Sequence, residues 1–132
     1  MHKISIQIRF SDIDRLGHVN NSIYNQYLDV ARLDYMNKTI GKLINWNEKT
    51  LVLVHVANDF LQPTHIDDTI YVATEVTKTG NRSITMSQQI IDDKGNVKLK
   101  SHSILSTIDV KNNISFPLPE EWIKAIEEFE GS

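Results

Sequence analysis

The sequence contains no cysteine. A disulfide framework, thiolate metal sites and a cysteine nucleophile are thereby excluded together. Only three prolines and five glycines interrupt the 132 residues. Neither gathers into a linker and no internal repeat is seen, so one domain over residues 1–132 is expected. Long apolar runs are missing too. No segment approaches the roughly 18 apolar residues of a membrane span, and the opening MHKISIQIRF alternates where a signal core would be continuous. These absences point to a cytoplasmic protein without a membrane span. Charge of one sign is also lacking. Seventeen acidic and 14 basic residues leave a net −3, without the basic stripe that nucleic acid requires of its binders. A ligand with a few phosphates stays compatible, because two or three basic side chains can hold it.

What is present suffices for a core. The apolar share is 40%, and a chain of this length buries roughly two thirds of its extended surface without help from disulfides or metal. Ile4, Ile6, Ile8 and Phe10 alternate with Ser5, Gln7 and Arg9, the pattern of a strand with one face on a core. From Ser22 to about Ile40 the period becomes helical. Tyr24, Leu28, Ala31 and Tyr35 form an apolar stripe widened by Ile23 and Tyr27, with Asn25, Asp29 and Arg32 opposite. Asn20, Asn21 or Ser22 can cap its start, and Gly41 is placed to end it.

Four β-rich segments follow: Leu51–Leu61, Thr69–Thr79, Arg82–Ile91 and Val97–Val110. Gly80-Asn81 and Asp92–Asn96 supply hairpin turns. The apolar run Leu51–Val54 suggests a strand buried more fully than an edge. After Pro119, Trp122, Ile126 and Phe129 share one face of a short terminal helix. The order predicts an α+β fold, with the long helix packed on a concave antiparallel sheet.

Between the first strand and the helix lies SDIDRLGHVNN, residues 11–21, with two acids, a histidine, a glycine and two asparagines. Helix N-termini present unpaired amides and partial positive charge. A carboxylate beside them can attack a carbonyl carbon or activate water, while the amides take charge developing on the oxygen. Turn-forming and capping explain the same composition and are the favoured reading of the residues alone, with catalysis left open.

The run RFSDIDRLGHVNNSIYNQYLDVARLDYM, residues 9–36, resembles the signature of the 4-hydroxybenzoyl-CoA thioesterase-like group of hotdog proteins. It is also similar to the acyl-ACP thioesterases of that superfamily. Leu61-Gln62-Pro63, Gly80 and the Pro-Leu-Pro before the last helix fit more loosely. The resemblance implies a long central helix wrapped by a five-stranded antiparallel sheet, with a short C-terminal helix. It implies homodimers that join sheets side by side with active sites at the interface, and in many members homotetramers. It implies an acyl-CoA or acyl carrier protein substrate, cleaved to a free acid, with coenzyme A entering as part of the substrate and no other cofactor. The second acid of Asp-x-Asp, Asp14, matches the catalytic carboxylate as nucleophile or general base. The polarising helix amide falls at about Asn21.

Gly17, His18, Asn20, Asn21 and Tyr24 complete the expected substrate or oxyanion site. Asp12 reads as structural, Tyr27 as core or interface, and Arg32 as pairing with an acid near the helix. His55, His65 and His102 are far apart in sequence and show no metal-ligand spacing. Arg82, Lys98 and Lys100 are candidates for the phosphates of coenzyme A, against the plainer reading of surface solubility. Two rivals remain. A hotdog dehydratase expects Gly-His-Phe before a proline-rich run, where this chain has Gly17-His18-Val19-Asn20-Asn21; a non-catalytic acyl-thioester binder needs no Asp14.

Overall fold

The opening alternation becomes a short strand, β1 (His2–Ile6), in a computed structural model that describes residues 1–131. The strand stops sooner than the pattern predicts. Arg9–Asp12 closes into a 3-10 turn in which the Asp12 carboxylate accepts the Arg9 N–H at 3.0 Å and the Asp12 N–H donates to the Arg9 carbonyl at 2.9 Å. Phe10, expected on the inward face, is thereby turned out and is 86% exposed.

Helix α1 (Tyr24–Thr39) buries the expected stripe of Tyr24, Tyr27, Leu28, Ala31 and Tyr35. Its capping position is Ile23, whose side chain makes no cap bond. Asn20 instead caps the turn before the helix, accepting from the Ser22 N–H at 2.9 Å and the Ser22 hydroxyl at 2.8 Å. Arg32, predicted on the polar side, is buried. Its guanidinium donates to Gln88 Oε1 at 3.0 Å and pairs with Asp29 one turn back, so the buried charge has partners.

Gly41 follows the helix as expected, though its backbone is not in the left-handed region. Proximity demands the glycine: an added Cβ would lie 2.7 Å from the Asn37 Cα and 2.9 Å from its carbonyl oxygen. Gly41→Ala must therefore push backbone apart. A loss of about 1–3 kcal/mol in urea-unfolding free energy is expected, and an unchanged midpoint would refute this account.

Strands β2 (Lys49–Phe60), β3 (Ile70–Thr79), β4 (Ser83–Asp92) and β5 (Val97–Asp109) join β1 in one antiparallel sheet of order β1-β3-β4-β5-β2. The predicted turns connect β3 to β4 and β4 to β5, the latter with Gly95 at φ +86°. Helix α2 (Glu120–Glu130) buries Trp122 and Ile126. This five-stranded antiparallel sheet with a long helix across it is the hotdog fold.

β2 departs from expectation. It is an outer strand, and within the apolar run only Leu51 is buried; Val54 is 59% exposed. Helix α1 approaches β1 and β3 most closely, and most of β2 beyond Leu51 keeps much of its surface exposed. The register of β2 on β5 skips Val54, passing from Leu53↔Leu105 to His55↔Ile104.

One cross-strand rung is polar throughout: His2, Thr74, Gln88, Ser101 and Asn58 are register partners across all five strands. Gln88 sits at its centre, 1% exposed, and donates to the Leu28 carbonyl and the Thr74 hydroxyl, each at 3.1 Å. Apolar clusters flank the rung. One gathers Tyr24, Tyr27, Leu28, Val72, Ile90 and Leu99; the other gathers Tyr35, Met36, Met86, Leu105, Trp122 and Ile126.

Candidate active site

The loop of residues 11–21 folds back on itself to reach the helix. The Asp14 N–H donates to the His18 carbonyl at 2.8 Å, and the Gly17 N–H donates to the Asp14 carbonyl at 3.1 Å. Gly17 closes the turn at φ +78°, a conformation that favours glycine. The Asp14 side chain lies over this turn, with Oδ1 accepting from the Leu16 N–H at 2.9 Å. Its other carboxylate oxygen takes part in no hydrogen bond among the described residues.

A cavity of about 480 Å³ opens beside the loop. Asp14, His18, Asn20, Asn21 and Tyr24 line it, with Leu16 and Val19, and Phe60–Pro63 form the opposite wall. The turn that leads into α1 uses most of its amides internally. Asn20 donates to the Asp12 carbonyl, Ser22 to the Asn20 side chain and Ile23 to the Asn20 carbonyl. The Asn21 N–H has no acceptor among the described residues. Asp14 and Asn21, each with a polar group that has no partner among the described residues, thus line the same cavity.

Tyr24 is held by its hydroxyl, which donates to Thr64 Oγ1 at 3.0 Å. Burial pushes the phenol above its ordinary value, the Thr64 bonds pull the other way, and Asp68 and Asp14 add to the rise. Tyr24 accordingly works as a neutral phenol. His18 forms an isolated bridge to His65, and their rings meet edge-on at 4.8 Å. His55 and His102 likewise meet, at 6.1 Å, on the outer face of β2 and β5.

Asp12 is separated from the cavity. It is 1% exposed and accepts a 2.6 Å bond from the Tyr27 hydroxyl, with the Arg9 guanidinium at 3.1 Å. Burial raises its carboxyl, but the bonds from Tyr27 and Arg9 outweigh that and hold it below the usual range. A depressed carboxyl contributes stability above its unfolded value, about 4, and loses it as pH falls through the folded value. Tyr27→Phe should cost about 1–3 kcal/mol near neutral pH. The deficit relative to wild type should shrink below about pH 4, as read by denaturant unfolding across pH. An equal deficit at all pH values would disprove the link to Asp12.

The three candidate phosphate ligands are dispersed. Arg82 donates to the Ser115 carbonyl and hydroxyl at 3.1 and 3.0 Å, away from the cavity. Lys98 is buried behind the cavity wall, donating to the Pro63 carbonyl at 3.2 Å and lying 3.6 Å from both Asp68 and Asp92. Lys100 is exposed on the outer face of β5 beside His102. Sequence reasoning missed Arg15, an exposed cation between two cavity-lining residues with no partner among the described residues. It also missed Phe60 as a wall. The alternation of β2 could have found Phe60, since it shares a face with Asn58.

The sequence model of the thioesterase-like superfamily matches residues 8–126. No curated protein resembles the chain closely enough to count as a match. Among solved structures, YbaW from Escherichia coli superposes with a TM-score of 0.87 at 21% identity, covering 98% of this chain and 99% of its own. A thioesterase from Thermus thermophilus, complexed with coenzyme A and Zn, gives 0.85 at 24% identity over 98% and 94%. Slr0204, a 1,4-dihydroxy-2-naphthoyl-CoA thioesterase from Synechocystis, gives 0.83 at 21% over 96% of each chain. The structures share the fold, and the sequence match runs from just before the loop into the last helix. The chain belongs to the thioesterase-like superfamily and is a thioester hydrolase.

Proposed function

We propose that the protein, acting as one domain, hydrolyses acyl-CoA thioesters to a carboxylic acid and coenzyme A, with Asp14 as the catalytic carboxylate. The observation that supports this reading is the shared cavity lining of Asp14 and Asn21, whose N–H has no acceptor among the described residues. A thioester carbonyl set between them accepts a hydrogen bond from Asn21, and the partial positive end of α1 stabilises the charge that grows on its oxygen.

Two routes use this geometry. In one, the Asp14 carboxylate attacks the carbonyl carbon, the C–S bond breaks, and coenzyme A departs as the thiolate. Water then cleaves the mixed anhydride and restores the carboxylate. In the other, Asp14 removes a proton from water as the water attacks the same carbon. Both end in free acid and thiol, and the thiolate is a good enough leaving group that neither needs a strong general acid. His18 and Asn20 shape the loop beside the thioester, Gly17 sets its turn, and Tyr24 borders the acyl side.

Coenzyme A bound to the Thermus relative supports that carrier over acyl carrier protein. Arg15 is the stronger candidate for its phosphates, since it is exposed and has no partner among the described residues. It lies in sequence between the cavity-lining Asp14 and Leu16, whereas Arg82 and Lys98 are committed elsewhere. The open apolar edge of β2 supports a homodimer joined strand to strand along that edge.

The test is release of free thiol from saturated acyl-CoA esters of graded length, run beside the same chains on acyl carrier protein. Turnover on coenzyme A esters at least ~10-fold above the carrier-protein esters, in kcat/KM, is the expected result. The reverse preference would reassign the carrier. Tight binding with no thiol released from either set would convert the protein into a non-catalytic acyl binder.

A further inference from the structure

The polar rung across the sheet is unevenly satisfied. Gln88 commits its amide to Arg32, Leu28 and Thr74. Toward β2 the bonding fails. Five buried side-chain atoms among the described residues lack a hydrogen-bond partner, and three of them, Asn58 Oδ1, Ser101 Oγ and Ser103 Oγ, fall together there. Asn58 faces Ser101 in register, and Ser103 is the next residue of β5 on that face. Ser101 and Ser103 are 5% and 1% exposed. Native proteins leave few buried polar atoms unpaired, and a cluster of them asks for a missing partner.

The surroundings indicate which partner. Phe60, Asn58, Val56 and Leu53 all point to the helix side of β2, since their β5 partners Leu99, Ser101, Ser103 and Leu105 are buried on that side. Phe60 lines the cavity, with its ring 5.8 Å from that of Tyr24. Phe60, Val56 and Leu53 keep between 36% and 49% of their surface exposed. They make a half-exposed apolar lane along β2 that starts at the cavity wall. Asn58 is the polar side chain in the lane, one pleat or about 7 Å beyond Phe60. Its Nδ2 donates to Asn25 Oδ1 at 2.9 Å, which anchors the amide beside the first turn of the helix.

We propose that Asn58, backed by Ser101 and Ser103, is a polar subsite for the acyl group, and that it selects thioesters whose acyl chain carries a hydroxyl or oxo group part-way along. The inference rests on the thioesterase reading of the cavity. A chain hydroxyl donates to Asn58 Oδ1 and accepts from a serine; an oxo group accepts from a serine alone. A plain alkyl chain leaves the same buried atoms without partners, and a site built to hydrogen-bond a hydroxyl discriminates strongly against a substrate lacking one.

The experiment measures equilibrium binding to Asp14→Asn protein, so that turnover does not intervene. The ligands are octanoyl-CoA and hydroxyoctanoyl-CoA with the hydroxyl on C3, C5 or C7. One hydroxylated position should bind at least ~10-fold more tightly than octanoyl-CoA. That advantage should fall to within ~2-fold in Asn58→Leu and in Ser101→Ala, the latter removing one oxygen and leaving the packing intact. Equal binding of all four ligands, no saturable binding of any, or an advantage that survives Ser101→Ala would each overturn the subsite. A buried water that already satisfies the trio produces the first of these results. Wild-type thiol release from octanoyl-CoA is followed in parallel. Its absence, with the binding pattern intact, would strike the hydrolase mechanism and spare the subsite.

Discussion

Asp14→Asn is expected to lower kcat by at least ~100-fold while KM changes little. The substitution keeps the side-chain oxygen that accepts the Leu16 N–H at 2.9 Å, so the turn through Gly17 and the path into α1 stay in place. What disappears is the negative charge on the second oxygen. An amide neither attacks a thioester carbonyl nor takes a proton from water at a useful rate, so both routes stop. An interaction made only in the transition state costs kcat, whereas one made equally to substrate costs KM. Stopped assays of thiol release, with KM measured on the residual activity, separate the two. Near-wild-type kcat in this variant would remove Asp14 from the mechanism altogether.

The next largest effect is expected at the sheet edge. Val54 is 59% exposed, and the register of β2 on β5 passes over it, so it has no partner in the strand beside it. Proline at this position has no N–H to donate and fixes φ, which disfavours pairing of another strand along this edge. Wild type should sediment as a dimer at micromolar concentration, and Val54→Pro as a monomer with an unchanged far-UV spectrum. If the proposed dimer forms along β2, the apolar lane borders its seam, and loss of the second subunit should also reduce thiol release at least ~10-fold. A monomeric wild type, or a fully active monomeric variant, would place the working unit in the single chain.

The elements are largely legible in the sequence because each carries its own local signal. The period of residues 22–40 finds α1, and β-branched alternation finds four strands to within about two residues at each end. Gly95 marks its turn. The site loop is recognisable through Asp14, Gly17, His18 and the asparagines, which lie within a single contiguous run. Cross-strand facts are hidden. That Leu51–Val54 belongs to an outer strand depends on strand order, which composition does not encode. Arg32 reads as polar-side surface because its partner Gln88 is 56 residues away. Lys98 reads as a candidate anion ligand for the same reason, since Asp68 and Asp92 reach it only in the folded sheet. Phe10 misleads in the opposite direction: its place in the alternation is right, but it falls in the turn where the Asp12 carboxylate accepts the Arg9 N–H, and it faces outward.

The rung through Gln88 also bears on how the protein can change over generations. On one side, Trp122, Ile126, Met86 and Leu105 tie α2 to the sheet and to the end of α1. On the other, Tyr24, Tyr27 and Leu99 back the cavity. Substitutions in well-separated clusters that share no partner add nearly independently in their effect on stability. A lineage can therefore resize the cavity wall at Phe60 while the opposite cluster keeps the margin above unfolding. The same sheet then serves as ballast at one end and as an adjustable cavity wall at the other.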